Sequence, residues 1–183
     1  LDLAVMTRTA SPGTLLLLDT NSGAILQNVA FPGSGNLYTT AFQDASPMAT
    51  YVEYGAGCAG SLGTPTLSAI PGSLPIQGAN FQVEIRNMPI DLAIMTVTLE
   101  SSFHGGMPLP LPIPNAPGCS LLVSPLVNSV VVGSGGVGTW AWSVPSSPAF
   151  FGTMFYNQAF VLDPGANQLG VVTTNAAQGR LGY

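Results

Sequence analysis

Phe81-Gln82-Val83-Glu84-Ile85-Arg86 alternates apolar and polar residues, and Leu92-Ala93-Ile94-Met95-Thr96-Val97-Thr98-Leu99 follows as an almost unbroken run of apolar residues and threonine. Side chains of a strand point to opposite faces in turn, so the first stretch reads as a strand with one core face and one polar face. The second reads as a strand covered on both faces or lying centrally in its sheet. The same signature recurs outward in both directions, at 14–18, 24–31, 37–42, 50–54, 121–123, 127–132, 137–142, 154–162 and 170–174. That makes about eleven β-rich runs. Gly and Pro punctuate the junctions, as in Ile70-Pro71-Gly72 and Asp163-Pro164-Gly165, and no window carries a capped helical stripe. The expected class is all-β, a β-sandwich or jelly roll with an N-terminal β-hairpin.

That hairpin is placed by Leu15-Leu16-Leu17-Leu18 and Ala24-Ile25-Leu26, which flank Asp19-Thr20-Asn21-Ser22-Gly23, a segment with turn chemistry. Residues 1–50 are read as N-terminal strands and hairpin, and residues 51–183 as a Gly/Pro-rich β-sandwich packed with them as one unit. Between Met107 and Pro117, five prolines at 108, 110, 112, 114 and 117 remove ladder donors, so an extended loop or edge strand is expected there. Gly133-Ser134-Gly135-Gly136-Val137-Gly138 reads as a hairpin loop between two strands, because no helix and no lysine follow to make it a phosphate cradle.

Composition excludes several functions. The 183 residues carry three Arg (8, 86, 180), no Lys and eight carboxylates, for a net charge of −5, with only 6% charged residues and 46% hydrophobic ones. Phosphate backbones need clustered cations, so nucleic acid is excluded as a partner, and anionic membranes are disfavoured for the same reason. No apolar stretch is long enough for a transmembrane helix. The mean hydropathy of +0.42 is too high for disorder. A surface so poor in charge is neutral and prone to associate. Leu1 reads as a processed or trimmed start.

Cys58 and Cys119 stand in Gly/Pro-rich contexts without the spacing of a metal site. A disulfide joining two loops is the preferred reading and two buried free thiols the alternative. A disulfide places the protein outside the reducing cytosol, in the extracellular space or on the cell surface.

Tyr54-Gly55-Ala56-Gly57-Cys58-Ala59-Gly60-Ser61-Leu62-Gly63-Thr64-Pro65-Thr66-Leu67, then Gly118-Cys119-Ser120-Leu121, then Phe155-Tyr156-Asn157-Gln158-Ala159 with Thr173-Thr174-Asn175, resemble a recurring C-terminal module of large secreted proteins of environmental bacteria. The likeness spans residues 54–183. It implies a secreted, disulfide-linked β-sandwich, often hung behind other domains, and carries over no catalytic residue.

Few residues offer chemistry. His104 is the single histidine, so any Ser-His or Cys-His arrangement must use it, and no Gly-x-Ser-x-Gly elbow accompanies it. Glycoside hydrolysis would need two of the scattered carboxylates across a cleft, with Glu84 and Glu100 the pair to consider. Glu84 and Arg86 on one polar strand face are better explained as solvent-facing charge. Glu53 is placed to meet Arg86 or Arg180 in an ion pair. No cofactor is expected; calcium is the one metal to consider, at Asp19–Gly23 or Asp163–Asn167, and both also read as ordinary Asx turns.

Trp140 and Trp142 share one face of a strand. An exposed face would stack sugar rings and a buried one would fill the core, which is the preferred reading. The N-terminal run Leu1-Asp2-Leu3-Ala4-Val5, with Leu1, Leu3 and Val5 on one face, is a candidate strand donor to another copy. The functional expectation is a non-enzymatic secreted structural protein, a self-assembling subunit of an extracellular fibre, filament or cell-surface layer formed by β-strand addition, whose partners are copies of itself. The alternative is a carbohydrate-binding accessory domain whose partner is polysaccharide. A hydrolase built on His104 is the third reading.

Overall fold

Alternation and β-branched residues produce strands over about half of the residues that the computed structural model describes, which are 3–7, 13–18, 25–31 and 48–183. The chain divides into two compact units, Leu1–Ser46 and Pro47–Tyr183. In the first unit, β1 (Leu3–Thr7), β2 (Gly13–Leu18) and β3 (Ile25–Phe31) form an antiparallel sheet in that order. The pairing of β2 with β3 is the expected hairpin. The run at 37–42 lies outside the described residues.

The second unit begins with β4 (Thr50–Tyr54), β5 (Thr66–Ala69), β6 (Asn80–Arg86) and β7 (Leu92–Thr98). Four two-residue strands follow: β8 (Phe103–His104), β9 (Met107–Pro108), β10 (Leu111–Pro112) and β11 (Ser120–Leu121). It ends with β12 (Val127–Val132), β13 (Val137–Ser143), β14 (Met154–Leu162) and β15 (Val171–Arg180). A five-stranded sheet runs β12-β7-β14-β15-β4 and a three-stranded sheet runs β13-β6-β5, with every pairing antiparallel.

One hydrophobic cluster draws on both sheets. Leu67, Phe81, Val83 and Ile85 come from the three-stranded sheet, and Ala93, Met95, Phe155, Ala159, Val161 and Val172 from the five-stranded one. The alternation of Phe81, Val83 and Ile85 is matched by their complete burial. β7 is central, as its composition suggests, with Ala93 and Met95 buried on one face and Thr96 and Thr98 on the other, although Ile94 is exposed.

The glycine-rich turn at 133–136 corrects an expectation. It is tight, with Gly135 and Gly136 at positive φ and Ser134 bridging Val137, yet β12 and β13 do not pair with each other. The turn passes the chain from one sheet to the other. Asp91 fixes it from outside, its carbonyl accepting from Gly133 N at 2.7 Å and its Oδ1 from Gly136 N at 2.6 Å. The proline segment likewise forms β9 and β10, which pair only with β8 and β11, because proline cannot complete a long ladder.

Residues 120–124 lie over the second face of the five-stranded sheet. Leu122 and Val123 pack there with Tyr54, Tyr156 and Ala176. Gln158, fully buried on β14, clamps them: its Oε1 accepts from Leu122 N at 2.9 Å, and its Nε2 donates to Ser120 O and Thr174 O, each at 3.0 Å. Asn175 ties the two sheets together. Its Oδ1 accepts from Leu67 N and its Nδ2 donates to Leu67 O, both at 2.9 Å, so a carboxamide occupies the ladder position beside β5.

Candidate functional site

Cys58 and Cys119 form a disulfide, with Cα atoms 4.8 Å apart. It bolts the loop after β4 to the end of the proline segment. Both cysteines are buried in the core cluster, and Thr173 N donates to Cys58 Sγ at 3.1 Å.

Several residues with catalytic or metal-binding chemistry are occupied locally. Asp163 is buried, and its carboxylate accepts from Ser61 N at 2.6 Å and Ser61 Oγ at 2.9 Å, so it holds the 60–63 turn. The Asp19–Gly23 candidate lies outside the described residues. Glu84 and Glu100 do not face each other: Glu84 stands on β6 of one sheet, and Glu100 follows β7 of the other. Glu84 accepts from Arg86 Nε, its neighbour on the polar face of β6. That leaves Glu53 without Arg86, and Glu53 lies opposite Ala177 in the β4–β15 ladder. Glu100 accepts from Ser102 N, which holds its exposed carboxyl below the usual range.

Among the described residues His104 has one side-chain hydrogen-bond partner, Ser124 Oγ at 3.1 Å from Nδ1. The histidine is one of the residues lining an apolar groove of about 280 Å³, with Leu111, Pro112, Ile113, Pro114, Leu121, Pro125 and Phe160. A second cleft, of about 370 Å³, has a different chemistry, being lined by Asn115, Pro117, Ala166, Asn167 and Gln168. No residue pattern in the sequence signals it, since its two walls lie far apart along the chain.

Trp140 and Trp142 do share a face, and it is the inner one. Both pack against the core cluster, Trp140 Nε1 donates to Ser129 Oγ at 3.0 Å, and Trp142 meets Phe155 edge-on with centroids 5.1 Å apart. Thr139, Ala141 and Ser143 are the exposed residues of β13. The rings are therefore core components, and the exposed platform that sugar stacking requires is not formed by them.

The N-terminal candidates are placed differently from a free arm. Leu1 lies outside the described residues. Leu3 and Val5 lie in β1, paired with β2 from Leu3↔Leu18 to Thr7↔Thr14, which makes the segment an edge strand of its own sheet.

The two sheets of the second unit end in unequal edges. β4 carries Glu53, a charge of the kind that deters pairing. β5 is hooked by Asn175. β13 presents small and polar residues outward. β12, Val-Asn-Ser-Val-Val-Val, carries neither charge nor proline, and Val127, Val130 and Val132 are 62%, 69% and 74% exposed. Such exposure in a β-branched edge strand is the arrangement that proteins ordinarily guard against.

Tyr51 and Tyr54 give the second unit an alkaline limit. Tyr51 OH donates to Asn157 Oδ1 at 2.9 Å, and burial pushes its pKa far above the ordinary value of 10.0. Tyr54 OH donates to Leu122 O at 3.3 Å, and burial raises it to about 12. Folded values above the unfolded one mean that this stability is intact below pH ~10 and is lost as pH rises further, because only the unfolded chain then releases the protons. The urea midpoint should fall steeply above pH ~10, and Tyr51→Phe should flatten the fall. At pH ~7 the same variant should cost about 1–2 kcal/mol, since Asn157 Nδ2 already lacks a hydrogen-bond partner and its Oδ1 would lose one. An unchanged alkaline slope would refute the assignment.

Among the described residues no helix is long and apolar enough to cross a membrane. The architecture defines a disulfide-linked, all-β protein built of several antiparallel sheets. No protein family, curated protein or solved structure matches the chain.

Proposed function

We propose that this chain is a non-enzymatic structural subunit of an extracellular fibre or cell-surface layer, that its second unit is a β-sandwich, and that copies join by strand addition at β12. The carrying observation is the apolar, charge-free and exposed edge of β12. Backbone groups along that edge can extend the ladder into a neighbour, and the exposed valines supply the burial that stabilises the contact. The occupant is β1 of a second copy. Leu-Ala-Val-Met-Thr is also free of charge and ends its own sheet. The three described strands of the first unit make a small sheet that gains from further pairing. A β1-to-β12 contact is heterologous, so it joins copies head to tail, into an open polymer unless the rotation closes a ring. Extracellular placement is supported by the disulfide, which persists in oxidising surroundings.

Electron microscopy with light scattering on unreduced protein tests this reading. Filaments or large oligomers are expected, and a monodisperse 18.7 kDa monomer would overturn it. Val130→Lys places a charge on an outward side chain of β12 and should leave the fold intact while abolishing assembly. Polymer that persists in that variant would remove β12 from the contact, and polymer that persists after deletion of residues 1–10 would remove β1.

A further inference from the structure

The cleft between the proline segment and the β14–β15 loop is built from two walls that are each held in place. On one side Asn115 lies within a turn closed by Ala116 N to Ile113 O at 3.3 Å and Cys119 N to Ala116 O at 3.0 Å, and the disulfide at Cys119 anchors it. On the other, Ala166 N donates to Asp163 O at 3.1 Å, and Asn167 is pinned to Val171 through both ends of its carboxamide. Leu169 N donates to Asn115 O at 3.3 Å and joins the walls directly.

Within this frame two groups have nothing to do. The carboxamides of Asn115 and Gln168 make no side-chain hydrogen bond among the described residues, and both residues are exposed. Asn115 is also in the left-handed region, at φ 62, a conformation that non-glycine residues adopt at a cost and that recurs at binding sites. No lining residue is ionisable, and the nearby Asp163 carboxylate is already taken by Ser61. The site therefore favours neither anions nor cations.

We infer that this cleft binds a neutral polyhydroxylated ligand, a sugar unit of an uncharged glycan. Each free carboxamide offers two donors and an acceptor, which matches the donor and acceptor character of hydroxyl groups. Pro117 and Ala166 supply an apolar patch for the C–H face of a ring. A volume of about 370 Å³ is at the small end of the range of ligand pockets. Walls fixed before binding lower the ordering cost of association. Glycan contact thus falls on carboxamides at a loop cleft, away from the tryptophans of the core.

Saturation-transfer NMR tests this on the full chain and reads monomer and polymer alike, so its outcome is separate from that of the assembly experiment. The probes are cellotriose, maltotriose, xylotriose and chitotriose at millimolar concentration, with trigalacturonate as the charged control. At least one neutral trisaccharide should bind, and the anion should not. Asn115→Gly keeps the left-handed backbone comfortable while deleting the carboxamide, and Gln168→Ala alters an exposed side chain, so both variants should fold. Each should weaken binding about tenfold. Absence of transfer to all four neutral probes, equal binding of trigalacturonate, or unchanged affinity in both variants would overturn the proposal.

Discussion

Replacing Cys58 and Cys119 together by alanine should lower the stability of the second unit by about 4 kcal/mol, the entropy of closing a loop of this length. The cross-link spans a sequence separation of 61. With a urea slope of about 2 kcal/mol per molar, the midpoint should fall by about 2 M. The loss should exceed the loop term if the cysteines also pack well, because both are buried and Cys58 Sγ accepts from Thr173 N. The bond also anchors the segment that Gln158 clamps. Loosening that segment would uncover Tyr54, Tyr156 and Ala176 on the second face of the five-stranded sheet. Urea titrations of wild type and double variant, each with and without reductant, measure the effect. Reductant should lower the wild-type midpoint toward that of the variant, stopping short by the packing that the two buried thiols keep, and should leave the variant unchanged. Equal midpoints for all four samples would show that the unfolded chain gains little freedom when the bond is removed.

What could be read in the sequence was whatever depends on near neighbours. The alternation from Phe81 to Arg86 was enough to assign core and polar faces, and the almost unbroken apolar run from Leu92 to Leu99, interrupted only by Thr96 and Thr98, was enough to read β7 as covered on both faces or central. A tight turn at 133–136 was legible too, since successive positive φ values suit glycine. The sheet to which each flanking strand belongs was not legible, because that depends on β7 pairing with β12 and β6 with β13. β5 was missed for a similar reason. Thr66–Ala69 is short and weakly alternating, and its outer edge is completed by Asn175, a side chain far along the chain.

The site was less legible than the fold. Two tryptophans at a spacing of two fix a shared face but not which face, and only packing against Phe155 and Ser129 decides it. Gln158 reads as an ordinary polar strand residue until the 120–124 segment is laid over it, when it becomes a buried clamp with three partners. The Asn115–Gln168 cleft depends on loops brought together by the Leu169–Asn115 hydrogen bond, and no local pattern encodes such a meeting.

Gly179→Ala should be the most damaging single addition of a methyl group to the five-stranded sheet, at about 3 kcal/mol. Gly179 sits opposite Phe155 in the β14–β15 ladder, and a Cβ there would lie within 2.8 Å of three carbons of the Phe155 ring. Its φ is not in the left-handed region, so alanine fits the backbone and the penalty is steric alone. The ring has no room to retreat, because Tyr51, Phe81 and Trp142 surround it with centroids 6.4, 6.1 and 5.1 Å away. Phe155 is in effect the missing side chain of Gly179, covering a bare stretch of backbone with a ring. This predicts a specific coupling. Phe155→Leu alone should cost about 1–2 kcal/mol through lost packing, yet combined with Gly179→Ala it should relieve the clash. The double variant should be more stable than the sum of the single losses implies, by at least about 1.5 kcal/mol, as is typical of residues in direct contact. Additive losses in a double-mutant cycle read by urea denaturation would mean that the Gly179 penalty arises elsewhere, with the ring free to turn aside.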